Sequence, residues 1–341
     1  MLVYVVHFLK VNALKSYLFY IIARIIIFTI GIIPRAAAMF FTRTIAFFAY
    51  YVDFKHRHIA RVNLRIAFPL LSNRHRSAIA RKSFQNTAMN LIEISRFPRL
   101  NRKNITSLVR YDPLSGLENY KAAISLGKGI LYMTGHFSSW ELLPAAHSLY
   151  GYPLSFVTRP LDNSMLEVYL EQLRESVGNR VIHKKYAIRP ILKCLKGKGG
   201  VGILMDQNTS LLEGIFSDLF GVPAATTTGI VLLALRTGAP ILPGYLTPMQ
   251  QGHYTIKFLP HIEVVRTGNR SRDIEINTRK LNSVIEDIIR EQPESWLWGH
   301  KRWKYQPSGN PKDLYALSEE ELDSFLNETS ASDQLSLISD Q

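Results

Sequence analysis

The stretch GILYMTGHFSSWELLPAAHSLY, residues 129–150, decides the fold of this chain. Its first part, Gly129 to His136, is a short apolar run of the kind that forms a strand buried on both faces, and the part from Ser138 carries apolar residues at helical spacing. The same reading repeats downstream. LSFVTRP (154–160), RVIHK (180–184), VGILMDQ (201–207) and APILPGYL (239–246) read as strands, with NSMLEVYLEQLRESVG (163–178), AIRPILKCLKG (187–197) and TTTGIVLLALRTG (226–238) as helices between them. Such alternation predicts an α/β fold, a mostly parallel central sheet flanked by helices on both faces. GHYTIKFLPHIEV (252–264) is expected as a strand pairing antiparallel at an edge, and Leu281, Val284, Ile285 and Ile288 give residues 274–289 the spacing of one more helix.

Upstream, YLFYIIARIIIFTIGII (17–33) carries a single charge, Arg24. At 1.5 Å per residue this run is about long enough to cross a ~30 Å hydrocarbon core. A mid-span charge costs roughly 2.5–3.5 kcal/mol on insertion scales, and PRAAAMFFTRTIAFFAYYV (34–52) adds a shorter apolar helix with Arg35 and Arg43, so an interfacial or re-entrant hairpin is the alternative to a spanning helix. Residues 53–100 are basic with apolar residues at helical intervals, which predicts amphipathic helices whose cationic faces meet anionic headgroups. From Ser318 the chain is rich in Ser, Asp and Glu, and it reads as a disordered tail. The organisation expected is therefore a membrane anchor over 1–52, a catalytic domain over 53–317 and a tail over 318–341.

Of 341 residues, 41 are Lys or Arg and 27 Asp or Glu, a formal charge of +14 that favours a polyanionic partner: nucleic acid, anionic lipid or an acidic carrier protein. The one cysteine, Cys194, excludes a disulfide framework within the chain and any zinc site built from several thiolates, which suits a cytoplasmic face.

Ligands of parallel sheets collect at the carboxyl ends of the strands. His136, Arg159 and Asp206 each end a predicted strand, so the fold brings three separated residues to one rim. Five residues along a continuous helix turn through roughly 500°, so His136 and Glu141 cannot meet on one helix and His136 must precede it. With Ser138 as N-cap, Glu141 becomes the third helical residue and SSWE fits a capping box. The same geometry turns the carboxylate back toward His136, where it would accept the Nδ1 hydrogen and leave Nε2 as a base; capping and catalysis both stay open. Asp206 is either a partner of His136 or Arg159 or a turn residue. Thr226, Thr227 and Thr228 are either an anion site or a helix cap. WLWGHKRWKYQP (296–307), with Arg302, fits a sugar-phosphate headgroup or an acidic carrier better than nucleic acid beside a membrane anchor.

GHFSSWE resembles the His-x4-Asp/Glu signature of the glycerolipid acyltransferase superfamily, and the chain is similar more specifically to the late, secondary acyltransferases of lipid A. TRPLDNSMLE (158–167), GILMDQN (202–208), LFGVPAATTTGIVLLALRTGAPILPGY (219–245) and ESWLWGHKRWKYQP (294–307) carry the likeness in the family's order. The resemblance implies acyl transfer from an acyl carrier protein thioester to a hydroxyl of a lipid A precursor at the bacterial inner membrane, on the cytoplasmic side, with no cofactor, no metal and no covalent intermediate. It implies His136 as general base and Glu141 as its partner. Arg159 would stabilise the oxyanion or hold a phosphate of the acceptor, and Asp206, the three threonines and Arg302 would help bind substrate. Acyl-CoA as donor, another glycolipid or a lysophospholipid as acceptor, and a non-catalytic lipid-binding protein are the alternatives.

Overall fold

The computed structural model describes residues 2–339, with side chains from 14 to 329. Four helices come first: α1 (Leu2–Ile32), α2 (Arg35–Val52), α3 (Phe54–Ala67) and α4 (Asn73–Arg96). Ser72 accepts the His75 N–H at the start of α4, and Asp53 accepts that of His56 at the start of α3. Short α5 (Ile105–Leu108) and β1 (Val109–Tyr111) lead through α6 (Gly116–Ser125) to the alternating core: β2 (Ile130–Thr134), α7 (Leu142–Leu149), β3 (Leu154–Thr158), α8 (Ser164–Glu175), β4 (Arg180–His183), α9 (Ile188–Lys196) and β5 (Gly200–Leu204). A hairpin of β6 (Gly214–Leu219) and β7 (Val222–Thr227) precedes α10 (Gly229–Thr237), β8 (Ile241–Pro248), β9 (Tyr254–Phe258), α11 (Arg270–Glu291) and α12 (Glu319–Ser339).

Seven strands form the main sheet in the order β1-β9-β8-β2-β5-β3-β4, all neighbours parallel except β8 and β9. The expected α/β architecture is present. The strand around 252–264 is antiparallel as expected but not at the edge, because β1 pairs beyond it; three residues, VRY, are too short a run to stand out in sequence. Strands in the middle are buried on both sides. Along β2, Ile130 and Tyr132 join one core while Leu131 and Met133 join the other, and each such side chain contributes about 1.5–3 kcal/mol relative to exposure.

In α1, residues 14–32 are long and apolar enough to cross a membrane, and most of that surface is open. One stripe, however, is packed. The Ser16 carbonyl accepts from Asn163, Tyr20 and Arg24 lie against Tyr169 of α8, and Ile27 enters the core. Farther along, Arg96 and Arg99 bond the carbonyls of Ile30, Gly31 and Ile33. A Cβ on Gly31 would lie 2.7 Å from the Ser95 carbonyl oxygen, so only glycine allows this approach.

The segment that reads as a tail contains helix α12, in which Leu322, Phe325 and Leu326 are buried and Arg65 of α3 grips Asp323 and Glu319. Residues 340 and 341 of that segment lie outside the described residues. The Arg65 cation expected for headgroups is thus turned inward to an acidic helix, a pairing that sequence patterns 254 residues apart do not reveal.

Candidate active site

The registers of β2 and β5, which pair Met133 with Ile203 and Thr134 with Leu204, place His136 and Asp206 side by side two residues beyond. Asp206 is buried and grips the histidine twice: Oδ2 accepts the His136 backbone N–H at 2.8 Å, and Oδ1 lies 2.9 Å from Nδ1. The Trp296 indole N–H donates to Oδ2 at 2.7 Å. An ionised carboxylate only accepts, so the Nδ1 position carries the proton and the Nε2 lone pair points at the cavity, where the Gln207 amide nitrogen meets it in a long contact of 3.4 Å. Gly135 is required between them: a Cβ there would lie 2.7 Å from the Phe137 ring and 2.9 Å from Asp206 Cγ.

Burial pushes the His136 pKa down, but the charge and hydrogen bond of Asp206, joined by the charge of Glu141, outweigh it and the net shift is upward. Burial pushes Asp206 up, yet the bonds from His136 and Trp296 hold it down at about 2. The pair therefore stays ionised at Asp206 across the physiological range and favours a positive His136. That is what a base needs as it takes a proton.

The segment after His136 is not a capped helix. Ser138 has φ of 49°, its N–H donates to the Ser295 carbonyl at 2.6 Å, and Phe137 bridges to Trp296. Asn90 of α4 donates to the Ser138 carbonyl at 2.7 Å and accepts the Glu141 N–H at 3.2 Å. These partners satisfy the backbone that a capping box would have served, so α7 starts only at Leu142 and Glu141 makes no cap bond. Its carboxylate does not reach Nδ1 either. Arg174 of α8 holds it by a two-pronged bridge, Nε to Oε2 at 3.0 Å and Nη2 to Oε1 at 2.7 Å, from which it acts on His136 through charge alone.

His136, Trp140, Glu141, Arg159, Arg174 and Thr227 border a cavity of about 1370 Å³ at this rim, whose deeper walls include Leu143, Leu154, Phe156, Leu204 and Ile230. Arg159 is exposed at the edge, as its place after β3 predicts. Thr226 and Arg302 are elsewhere. Arg302 is wholly buried and donates to the Ala225 carbonyl at 2.7 Å and to Thr226 Oγ1 at 2.6 Å, so both pin the β6-β7 hairpin outside the cavity lining. Burial lowers Arg302 to about 10, and it keeps its charge near neutrality. Thr228 occupies the cap position of α10 without a side-chain cap bond and donates weakly to the Glu213 carbonyl.

The tryptophan-rich segment is likewise internal. Trp296, Trp298 and Trp303 are buried, and Ser83, Asn86 and Asn63 of α4 and α3 hold the carbonyls of Trp296, Glu294 and Trp298. His300 accepts the Asn208 N–H at 3.1 Å, and burial drops its pKa to about 4. Asn90 and Arg174 were not among the candidates from sequence, and Trp296 lay in a quoted stretch without a role of its own; each reaches the site from a remote segment.

Comparison with known proteins matches residues 7–305 to the bacterial lipid A biosynthesis acyltransferases. The chain belongs to this family. It is 27% identical over 256 residues to the lipid A biosynthesis lauroyltransferase of Escherichia coli K12, covering 74% of this chain and 80% of the relative. The palmitoleoyltransferase of the same organism is 26% identical over 262 residues, 75% and 81% of the two chains. Phosphatidylinositol mannoside acyltransferase of Mycobacterium tuberculosis H37Rv is 25% identical over 219 residues, 62% and 66%. The matched range takes in both β2 and β5, so the His136–Asp206 pair of this acyltransferase lies inside the shared region.

Proposed function

We propose that this acyltransferase moves an acyl chain from an acyl carrier protein thioester to a hydroxyl of a lipid A precursor, at the cytoplasmic face of the bacterial inner membrane. The observation that carries the mechanism is the contact of His136 Nδ1 with buried Asp206, which turns Nε2 toward the cavity, where a hydroxyl would replace the long contact from Gln207. Nε2 takes the hydroxyl proton as the oxygen attacks the thioester carbonyl, a general-base contribution of typically 10²–10⁴-fold. As the tetrahedral intermediate collapses the C–S bond breaks, and the imidazolium returns that proton to the sulfur, so the carrier leaves as its thiol. Asp206 fixes the tautomer and stabilises the imidazolium, the orienting role of a triad carboxylate. Glu141 adds negative charge, and Arg174 fixes its position. Arg159, at the mouth, faces the developing oxyanion or a phosphate of the acceptor, and guanidinium geometry serves both. The apolar walls take the acyl chain.

Lipid A relatives that match about three quarters of this chain support that acceptor, and the phosphatidylinositol mannoside relative supports a second reading with another glycolipid. Purified protein assayed with acyl carrier and acyl-CoA thioesters against both acceptors separates them. His136→Ala should lose roughly 10²–10⁴-fold in turnover while keeping its fold; near-normal transfer by that folded variant rejects the mechanism.

A further inference from the structure

Away from the reacting histidine, α8 presents two carboxylates one turn apart, Glu167 and Glu171, toward His183 at the end of β4. One ligand-capable atom from each lies within 4.8 Å of the others. His183 Nε2 and Glu171 Oε1 are 2.8 Å apart. Like charges at this helical spacing repel, and Glu167 is 5% exposed, so its ionised form carries a desolvation cost. One of its oxygens is matched, accepting the Leu161 N–H at 2.9 Å. The other, Oε1, is buried with no hydrogen-bond partner among the described residues. Nor is Arg174, on the same helix, available as a fork, since it is committed to Glu141.

We propose that Glu167, Glu171 and His183 bind a divalent transition-metal ion of the zinc or manganese kind. Two carboxylate oxygens and one imidazole nitrogen are a ligand set that such ions accept, with remaining positions for solvent. The cation relieves the repulsion between the two glutamates and gives the unmatched Oε1 a partner. The bond from Leu161 holds the Glu167 carboxylate in place, as outer partners of metal ligands do. The ion would tie α8, the edge strand β4 and the loop after Arg159 into one unit at the rim of the cavity, since Leu161 also lines it. This site is structural and takes no part in acyl transfer.

The test uses the full chain in detergent, stripped with a chelator and titrated with Zn²⁺ by calorimetry, with Co²⁺ absorption as a second probe. Wild type should take up one ion per chain at this site. Glu171→Gln and His183→Gln, both at partly open positions, should each weaken binding by about tenfold or more, the scale that even outer partners of ligands reach. His261→Gln, at an unrelated histidine, should leave the isotherm unchanged. Because Glu167 is buried, Glu167→Gln is read only if it melts like wild type. Absence of saturable uptake, or an isotherm that Glu171→Gln and His183→Gln leave unaltered, overturns the site.

Discussion

At the scale of single residues, the site turns on which carboxylate meets which cation. Glu141 stands in the signature, yet its partner is Arg174, and Asp206 from a different strand holds His136. The Glu141–Arg174 side chains are 13% and 14% exposed, so removing one charge leaves a partly buried partner uncompensated. Glu141→Gln should therefore lower both stability, by about 2 kcal/mol, and the His136 pKa, because a charge that raised it is gone. The acid limb of the pH–rate profile should move to lower pH, and Arg174→Met added to Glu141→Gln should recover part of the lost stability. Thermal melting of the two variants and the rate profile of the first check this; an unmoved limb would show that the Glu141 charge does not reach His136. The sequence showed that His136, Arg159 and Asp206 share a rim, because strand ends follow from apolar runs. It left the pairing open, because side-chain direction depends on register and on residues such as Asn90 and Trp296 brought from afar.

Elements explain why the signature turn is not a helix. Asn90 on α4 and the carbonyl of Ser295 take the backbone groups that a capping box would use, and α7 is shortened as a result. Five strands and the helices between them were legible because apolar runs separated by turn signals suffice for buried parallel strands. The β6-β7 hairpin was not, since VPAATT is made of small residues with no alternating pattern and is held by buried Arg302 and Asn282. The packed stripe of α1 also bears on the membrane. From Ser16 to Gly31 the helix runs beside α8 and α4, about 22 Å at 1.5 Å per residue. A helix so accompanied lies along the sheet domain, and we propose that it rests with its open apolar side in lipid instead of passing alone through the bilayer. Single cysteines at Lys15 and Ala36, in a chain carrying Cys194→Ser, should both react with an impermeant maleimide from the same side of sealed vesicles. Labelling from opposite sides would establish a crossing.

At the scale of the molecule, α12 packs back onto α3, joining segments more than 250 residues apart. Residues Leu322, Phe325 and Leu326 supply apolar burial, and the Arg65 fork adds a charge-assisted link. Deleting residues 319–341 should lower the melting temperature by about 3 °C or more, since a loss of about 2 kcal/mol against an unfolding entropy of about 2.1 cal/mol/K per residue moves a chain of this size by that much. Unchanged melting would mean that the helix contributes little. Low apolar content made this segment read as tail, and only the surface of α3 reveals its place. At the carboxyl rim of the sheet, Asp206 sets the state of His136. Asp206→Asn is isosteric, removes the acceptor charge and permits the wrong imidazole tautomer. The most direct measurement is the pH dependence of single-turnover acyl transfer by this variant and by wild type, at matched circular dichroism. A fall of roughly 10²–10⁴-fold, with the acid limb displaced to lower pH, is the predicted result; a wild-type rate and an unmoved limb would contradict the His136–Asp206 mechanism.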